Sequence, residues 1–266
     1  MTTTNFPDRV APNATGTSTA SDVRPLRTFT AIALPTGWVM LTLPLILDLP
    51  PEPFVLLTTA LGLVLPAVVL ARRDPEASMR GLLRDSVRLP RPRAWLLPAV
   101  LLLPGMTWLL ARAGGVDQPL DGALLGSLAV NVVSSVVIIN LWEEMAWTGF
   151  AQRRAIARWG FARGSVLVAA LFAGIHLPLA FYDVDSAGEV GLNVAVLFGS
   201  AVGLRLLIAG FDLWTAGSLL SIALLHASFN VSSELLESDH DWVRYAVVLG
   251  LGLVVLGVHR SRSTAA

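Results

Sequence analysis

Eight apolar stretches confine this chain to one broad class of fold. They lie at roughly 29–47, 54–71, 94–111, 122–150, 164–182, 190–209, 213–231 and 242–258. Each is long enough, at about 17–20 residues or more, to cross a ~30 Å hydrocarbon core as a helix. In lipid every backbone N–H and C=O needs an internal partner, and a helix supplies these from within one segment. Hydrophobic residues make up 54% of the chain and charged residues only 14%, against about 25% charged in soluble domains. Too few charges remain to clothe a water-facing surface. The expected architecture is all-α, a polytopic membrane bundle of about eight transmembrane helices, with the lipid bilayer as its first partner.

The connections between these stretches orient the bundle. Arg9, Arg24 and Arg27 precede the first. The second connection carries Arg72, Arg73, Arg80, Arg84, Arg88, Arg91 and Arg93; the fourth carries Arg153, Arg154, Arg158 and Arg163; the C-terminus has Arg260 and Arg262. Opposite connections carry Asp48 and Glu52, then Asp117 and Asp121, then Asp183, Asp185 and Glu189, then Glu234, Glu237, Asp239 and Asp241, with only Arg112 and Arg244 basic. The positive-inside rule then places both termini of a multi-pass cell-membrane protein in the cytoplasm. Residues 1–28, rich in Thr, Ser, Ala and Pro, read as a disordered tail rather than a signal peptide. A transmembrane domain over 29–259 and a short cytoplasmic tail over 260–266 follow. The stretch between Arg72 and Arg93 suits either a short amphipathic surface helix or a basic loop that fixes topology.

Other features exclude function classes. The chain has no cysteine, so disulfides, thiolate metal sites and a cysteine nucleophile are ruled out. Its net charge of zero gives no case for nucleic-acid binding. Every basic residue except histidine is arginine, a bacterial-looking bias. No internal repeat supports an inverted-repeat transporter.

Three polar constellations remain at membrane depth. Asn140, Glu143, Glu144 and Trp147 fall at i, i+3, i+4 and i+7 of the fourth stretch and share a helical face. That stretch is too long for one crossing, and a span over about 130–151 puts both glutamates near its midpoint. Phe172 and His176 lie in the fifth stretch, with Gly174 open to a close neighbour and Pro178 expected to distort the helix just past the histidine. His226 and Asn230, four apart on the seventh, serve as interhelical glue, a ligand pair or an oxyanion clamp. Charged groups at such depth cost several kcal/mol, roughly 2.5–3.5 on insertion scales, and mark functional sites.

A carboxylate and a histidine can deprotonate water, directly or through a bound divalent metal. A second histidine and an asparagine amide can donate to the oxyanion that forms when the water attacks a carbonyl. These are the parts for peptide-bond hydrolysis. No H-E-x-x-H pair and no G-x-S-x-G elbow offers another route. Adjacent helical positions point about 100° apart, so one glutamate faces the water squarely while the other can hold structure. Low dielectric and mutual repulsion favour a proton shared between them.

Glu143-Glu144, then Phe172-x-x-x-His176, then His226-x-x-x-Asn230, in this order on successive helices, resemble the CPBP family. These are the CAAX-prenyl-protease and bacteriocin-processing intramembrane proteases, also called Abi, and the resemblance covers roughly residues 125–235. It implies an intramembrane endopeptidase that cleaves a peptide or membrane-associated protein near the cytoplasmic face. In that family Glu143 would be the general base, His176 would help activate water, His226 and Asn230 would stabilise the oxyanion, and Glu144 would be a second essential acid. The resemblance leaves the cofactor open: none, or a divalent metal such as zinc held by Glu143, His176 and His226.

One position departs from the family motif E-E-x-x-x-R, whose arginine falls on Thr148. Arg205, four or five residues inside the sixth stretch, either snorkels to the inner surface or reaches inward to pair with Glu144. Thr148 keeps a second reading in play, a catalytically inactive family member acting as a membrane scaffold or immunity-type binding protein; a third, a proton- or ion-coupled transporter, would use the same buried Glu/His set.

Overall fold

The computed structural model describes residues 22–73, 78–236 and 240–264. Most of the expected tail, residues 1–21 with Arg9, lies outside these, as do Glu237 and Asp239 of the last acidic connection. Among the described residues the chain forms nine helices and no strand. These are α1 (Arg24–Leu47), α2 (Glu52–Arg73), α3 (Met79–Val87), α4 (Arg93–Ala113), α5 (Gly122–Trp159), α6 (Phe161–Phe181), α7 (Ala187–Trp214), α8 (Leu219–Leu235) and α9 (Trp242–Thr264). Seven of them, all but α3 and α8, are long and apolar enough to cross a membrane.

The first helix begins within the stretch read as tail. Its buried residues Leu26, Phe29, Ala33, Gly37 and Leu41 recur every three or four positions and form one inward stripe, the pattern of a helix with one face on a core. Trp38, Val39 and Ile46 on its other side are exposed, as suits a lipid-facing wall. The Arg72–Arg93 connection holds the short helix α3, capped by Ser78, whose Oγ accepts from Gly81 N at 3.1 Å. Leu82 and Asp85 of α3 are buried, so it packs under the bundle as well as facing outward.

The seventh apolar stretch yields a shorter helix than the others. α7 continues to Trp214, and the chain reverses through Ala216 (φ 56°) and Gly217 (φ 80°) before α8 starts at Leu219. Backbone with positive φ stops a helix, and only glycine takes it without strain. What remains of α8 is buried on nearly every side, from Leu219 through Phe229. A helix sheathed in protein need not match the bilayer's thickness, because its neighbours shield its ends.

Close backbone approaches fix the interior. At the crossing of α7 and α9, a Cβ on Gly203 would run into the backbone of Leu249, and one on Gly252 into Gly203. Gly164 lies against the backbone of Ala155 and Ile156, at 2.6 Å from where its Cβ would stand, so α5 and α6 make a tight antiparallel pair. Small residues at such crossings are how membrane helices maximise packing. The interior so formed, α6, the second half of α7, α8 and the middle of α5, carries all three polar constellations.

Candidate active site

α5 is a single helix of 38 residues, about 57 Å long at 1.5 Å per residue. It is interrupted twice by wide turns of π geometry, over Val136–Asn140 and Met145–Gln152. Glu143 and Glu144 lie on the short α-helical piece between them. Wide turns of this kind re-aim side chains and concentrate at functional sites. Here they leave the two carboxylates pointing in different directions.

Glu144 points into the protein. It has no exposed surface, and neither has Arg205, which arrives from α7. Arg205 grips it with two charge-assisted bonds, Nη1 to Oε2 at 2.9 Å and Nη2 to Oε1 at 2.6 Å. His226 Nδ1 from α8 lies 2.7 Å from Oε1, and the Thr148 hydroxyl donates to Oε2 one turn along α5. A carboxylate offers about four acceptor sites, and these bonds fill them. That completeness matters, because taking two charges out of water is repaid only when geometry is good and remaining valences are met. Phe172 adds its ring face under the Arg205 guanidinium at 4.4 Å, a cation–π contact that needs no water. Gln152 donates its amide to the Arg205 carbonyl at 2.8 Å, tying α5 to α7 a turn further on.

Glu143 points into a cavity of about 750 Å³. His176, His226 and Asn230 share its wall with Phe172, Asn193 and Ser200. Glu143 Oε2 lies 4.0 Å from His226 Nδ1, and Thr59 of α2 donates to its Oε1 at 3.4 Å. His176 closes the α-helical part of α6; beyond it, from Leu177, the chain tightens into 3₁₀ turns through Pro178. Its Nδ1 is 2.7 Å from the Phe172 carbonyl. A carbonyl only accepts, so Nδ1 carries the proton and the neutral ring presents a bare Nε2. His226 is held through the same atom, its Nδ1 facing the Glu144 carboxylate that Arg205 fixes.

The structure brings Glu143, His176, His226 and Asn230 to one cavity, as the sequence suggests, and places Glu144 behind its wall, in contact with His226 but not lining the cavity. Asn140 is fully buried, and neither end of its amide has a protein partner; Trp147 packs edge-on between Phe29 and Phe172 rather than lining the cavity. Arg205 takes the inward path and pairs with Glu144. Gly174 packs against Leu34 of α1. Sequence reading missed Thr59 and Gln152, whose polar side chains in apolar helices are common enough to carry no signal of their own.

The cavity's lining runs out to Val55, Asn193, Asp241, Trp242 and Arg244, which all lie next to the acidic connections, opposite the arginine-rich ones.

Among the described residues no group of three or more His, Asp or Glu side chains is placed to hold an ion. His226 Nδ1 and His176 Nδ1 both face protein acceptors, which leaves Nε2 of each ring without one of these bonds.

No curated protein matches the chain. Residues 125–232 match the family model described as type II CAAX prenyl endopeptidase Rce1-like. That span contains Glu143, Glu144, Thr148, His176, Arg205, His226 and Asn230, the whole of the constellation just described. The chain is thus a multi-pass membrane protein by its apolar helices, and its residues 125–232 are similar to the Rce1-like endopeptidases.

Proposed function

We propose that the chain hydrolyses a peptide bond within the cavity, using a water activated by Glu143. The observation that carries this reading is the convergence of Glu143, His176, His226 and Asn230 on one cavity while Glu144 is withdrawn into an ion pair. Glu143 takes a proton from the water, and the bare Nε2 of His176 accepts the water's other hydrogen bond and orients it. The water oxygen bonds to the carbonyl carbon, and the carbonyl oxygen becomes an oxyanion. His226 Nε2–H and the Asn230 amide donate to that oxyanion. As the C–N bond breaks, the proton held by Glu143 passes to the departing amine, and an acid and an amine leave. Glu144 touches neither water nor substrate here. It is a positioning residue that holds the His226 ring through Nδ1.

The charge missing at Thr148 was the one feature favouring an inactive scaffold. Arg205 supplies that charge from another helix, which supports the enzymatic reading. The protease family described for residues 125–232 acts on prenylated C-termini, so membrane-anchored quenched-fluorescence peptides, with and without a prenyl group, are the first probes. In vesicles containing the full chain, Glu143→Gln should abolish release of fluorescence and leave thermal unfolding of the bundle unchanged. His176→Ala should do the same, and His226→Ala should abolish release at some cost in stability, because it also takes a bond from buried Glu144. Hydrolysis retained in Glu143→Gln would falsify the mechanism. A divalent metal held by Glu143, His176 and His226 would instead reveal itself as stoichiometric metal in the purified protein and loss of cleavage with chelator.

A further inference from the structure

We infer that the cavity is entered from the non-cytoplasmic side, so that its substrate is a peptide segment presented on that side of the membrane, an exported peptide or an outer segment of a membrane protein. This rests on the proteolytic reading of the site. The cavity's rim residues come from four helices and agree on one end: Val55 opens α2, Asn193 is near the start of α7, Asn230 is near the end of α8, and Trp242 and Arg244 begin α9. His176 likewise lies in the part of α6 nearest the connection with Asp183 and Asp185. Every connection at this end is acidic.

Ion pairing sharpens the asymmetry. Arg112 and Arg244, the two basic residues at the cavity end, are each neutralised locally, by Asp117 and by Asp241, the latter at 2.7 and 2.8 Å. At the opposite end Asp85 and Asp212 are taken up by arginines, Arg153 bonding both at 2.8 and 2.7 Å. Cancelling these pairs leaves one end acidic and the other strongly basic. Basic connections are retained in the cytoplasm during insertion, and acidic ones contribute little to orientation. The basic end is therefore cytoplasmic and the mouth faces out.

The complete absence of cysteine makes the test direct. Ser200 lies inside the cavity wall and is 9% exposed, and Ser200→Cys changes one atom. Asn193→Cys marks the rim, and Arg158→Cys marks the exposed opposite end. Each full-length variant is treated with a small membrane-impermeant thiol reagent, in intact cells and in everted vesicles. Ser200→Cys and Asn193→Cys should react in intact cells and lose that reaction in everted vesicles, with Arg158→Cys showing the reverse. Asn193→Cys, on an exposed rim, keeps the test readable if Ser200→Cys fails to accumulate. A cavity thiol reached only from the everted side, or from neither, overturns the inference. Labelling needs no turnover, so failure of the proteolytic reading appears separately, as hydrolysis that survives Glu143→Gln.

Discussion

Two ion clusters join α5 to α7, and they use the same ingredients for different ends. In the interior, Glu144 and Arg205 pair with no exposure at all, and His226 hangs from the carboxylate. At the arginine-rich end, Arg153 bridges Asp85 of α3 and Asp212 of α7, and Arg88 bonds Asp85 and the Ala216 carbonyl at 2.7 Å. The side chains of that outer cluster remain 12–30% exposed. The outer cluster fastens a chain reversal, since Arg153 also reaches the Gly217 carbonyl at 3.1 Å. The inner one fastens a single imidazole at a cavity wall. Water at the outer cluster screens its charges, so its members are individually dispensable. No water relieves the inner cluster, so its members stand or fall together.

The largest effect expected from this contrast is at Arg205. Arg205→Met leaves Glu144 buried without its counter-charge, at a cost of about 3–5 kcal/mol. Unfolding in detergent should move down sharply and hydrolysis should vanish with it. Arg205→Lys should rescue little, because an ammonium cannot supply the two parallel bonds or stack on Phe172. Adding Thr148→Arg to Arg205→Met tests whether position matters or only charge: 148 is one turn from Glu144 and already within its reach. Stability and cleavage should both recover in part. A double variant no better than Arg205→Met would show that the guanidinium is needed where α7 puts it.

Arg153→Gln is the matching change in the outer cluster. It removes two ion pairs, but with partial exposure the loss should be about 1–2 kcal/mol. Cleavage should be unaffected at temperatures where the protein is folded. If Arg153→Gln cut hydrolysis as deeply as Arg205→Met, the clusters would be one coupled unit, and the distinction between fastening a turn and fastening a histidine would fail.

How far the chain could be read without coordinates follows the same division. Bilayer physics imposes a coarse pattern, so the helical bundle and the alternation of charge were plain in the residues. The spacing of Glu143, His176, His226 and Asn230 was legible because ionisable groups are rare at that depth. The shortness of α8 was not, because an apolar run from Phe211 through Val231 hides the reversal at Ala216–Gly217. The wide turns in α5 were also invisible, since nothing in the apolar run around Val136–Asn140 and Met145–Gln152 marks them. Arg205 itself carried two readings, snorkelling or pairing, and only the path of α7 through the bundle's centre decides between them. The end at which the cavity opens needed the three-dimensional position of Val55, Asn193 and Arg244 together.

The smallest expected effect concerns Thr148, and it discriminates best between support and charge. Its hydroxyl donates to Glu144 Oε2 and receives Arg205 Nη1 at 3.4 Å, so it completes the cluster without altering its charge. Thr148→Val keeps the shape and removes one hydrogen bond. Arg205 and His226 still satisfy the carboxylate, so the loss should be about 1 kcal/mol of stability. Because Oε1, the oxygen that holds His226, is untouched, cleavage should fall much less than in Arg205→Met. Substrate binding should not change at all, since Thr148 is fully buried and no part of the cavity wall. A large loss of turnover with unchanged stability would mean that the hydroxyl governs how Glu144 holds His226. Thr148 would then stand beside Glu144 among the groups that set up the chemistry, rather than fill a space an arginine has left.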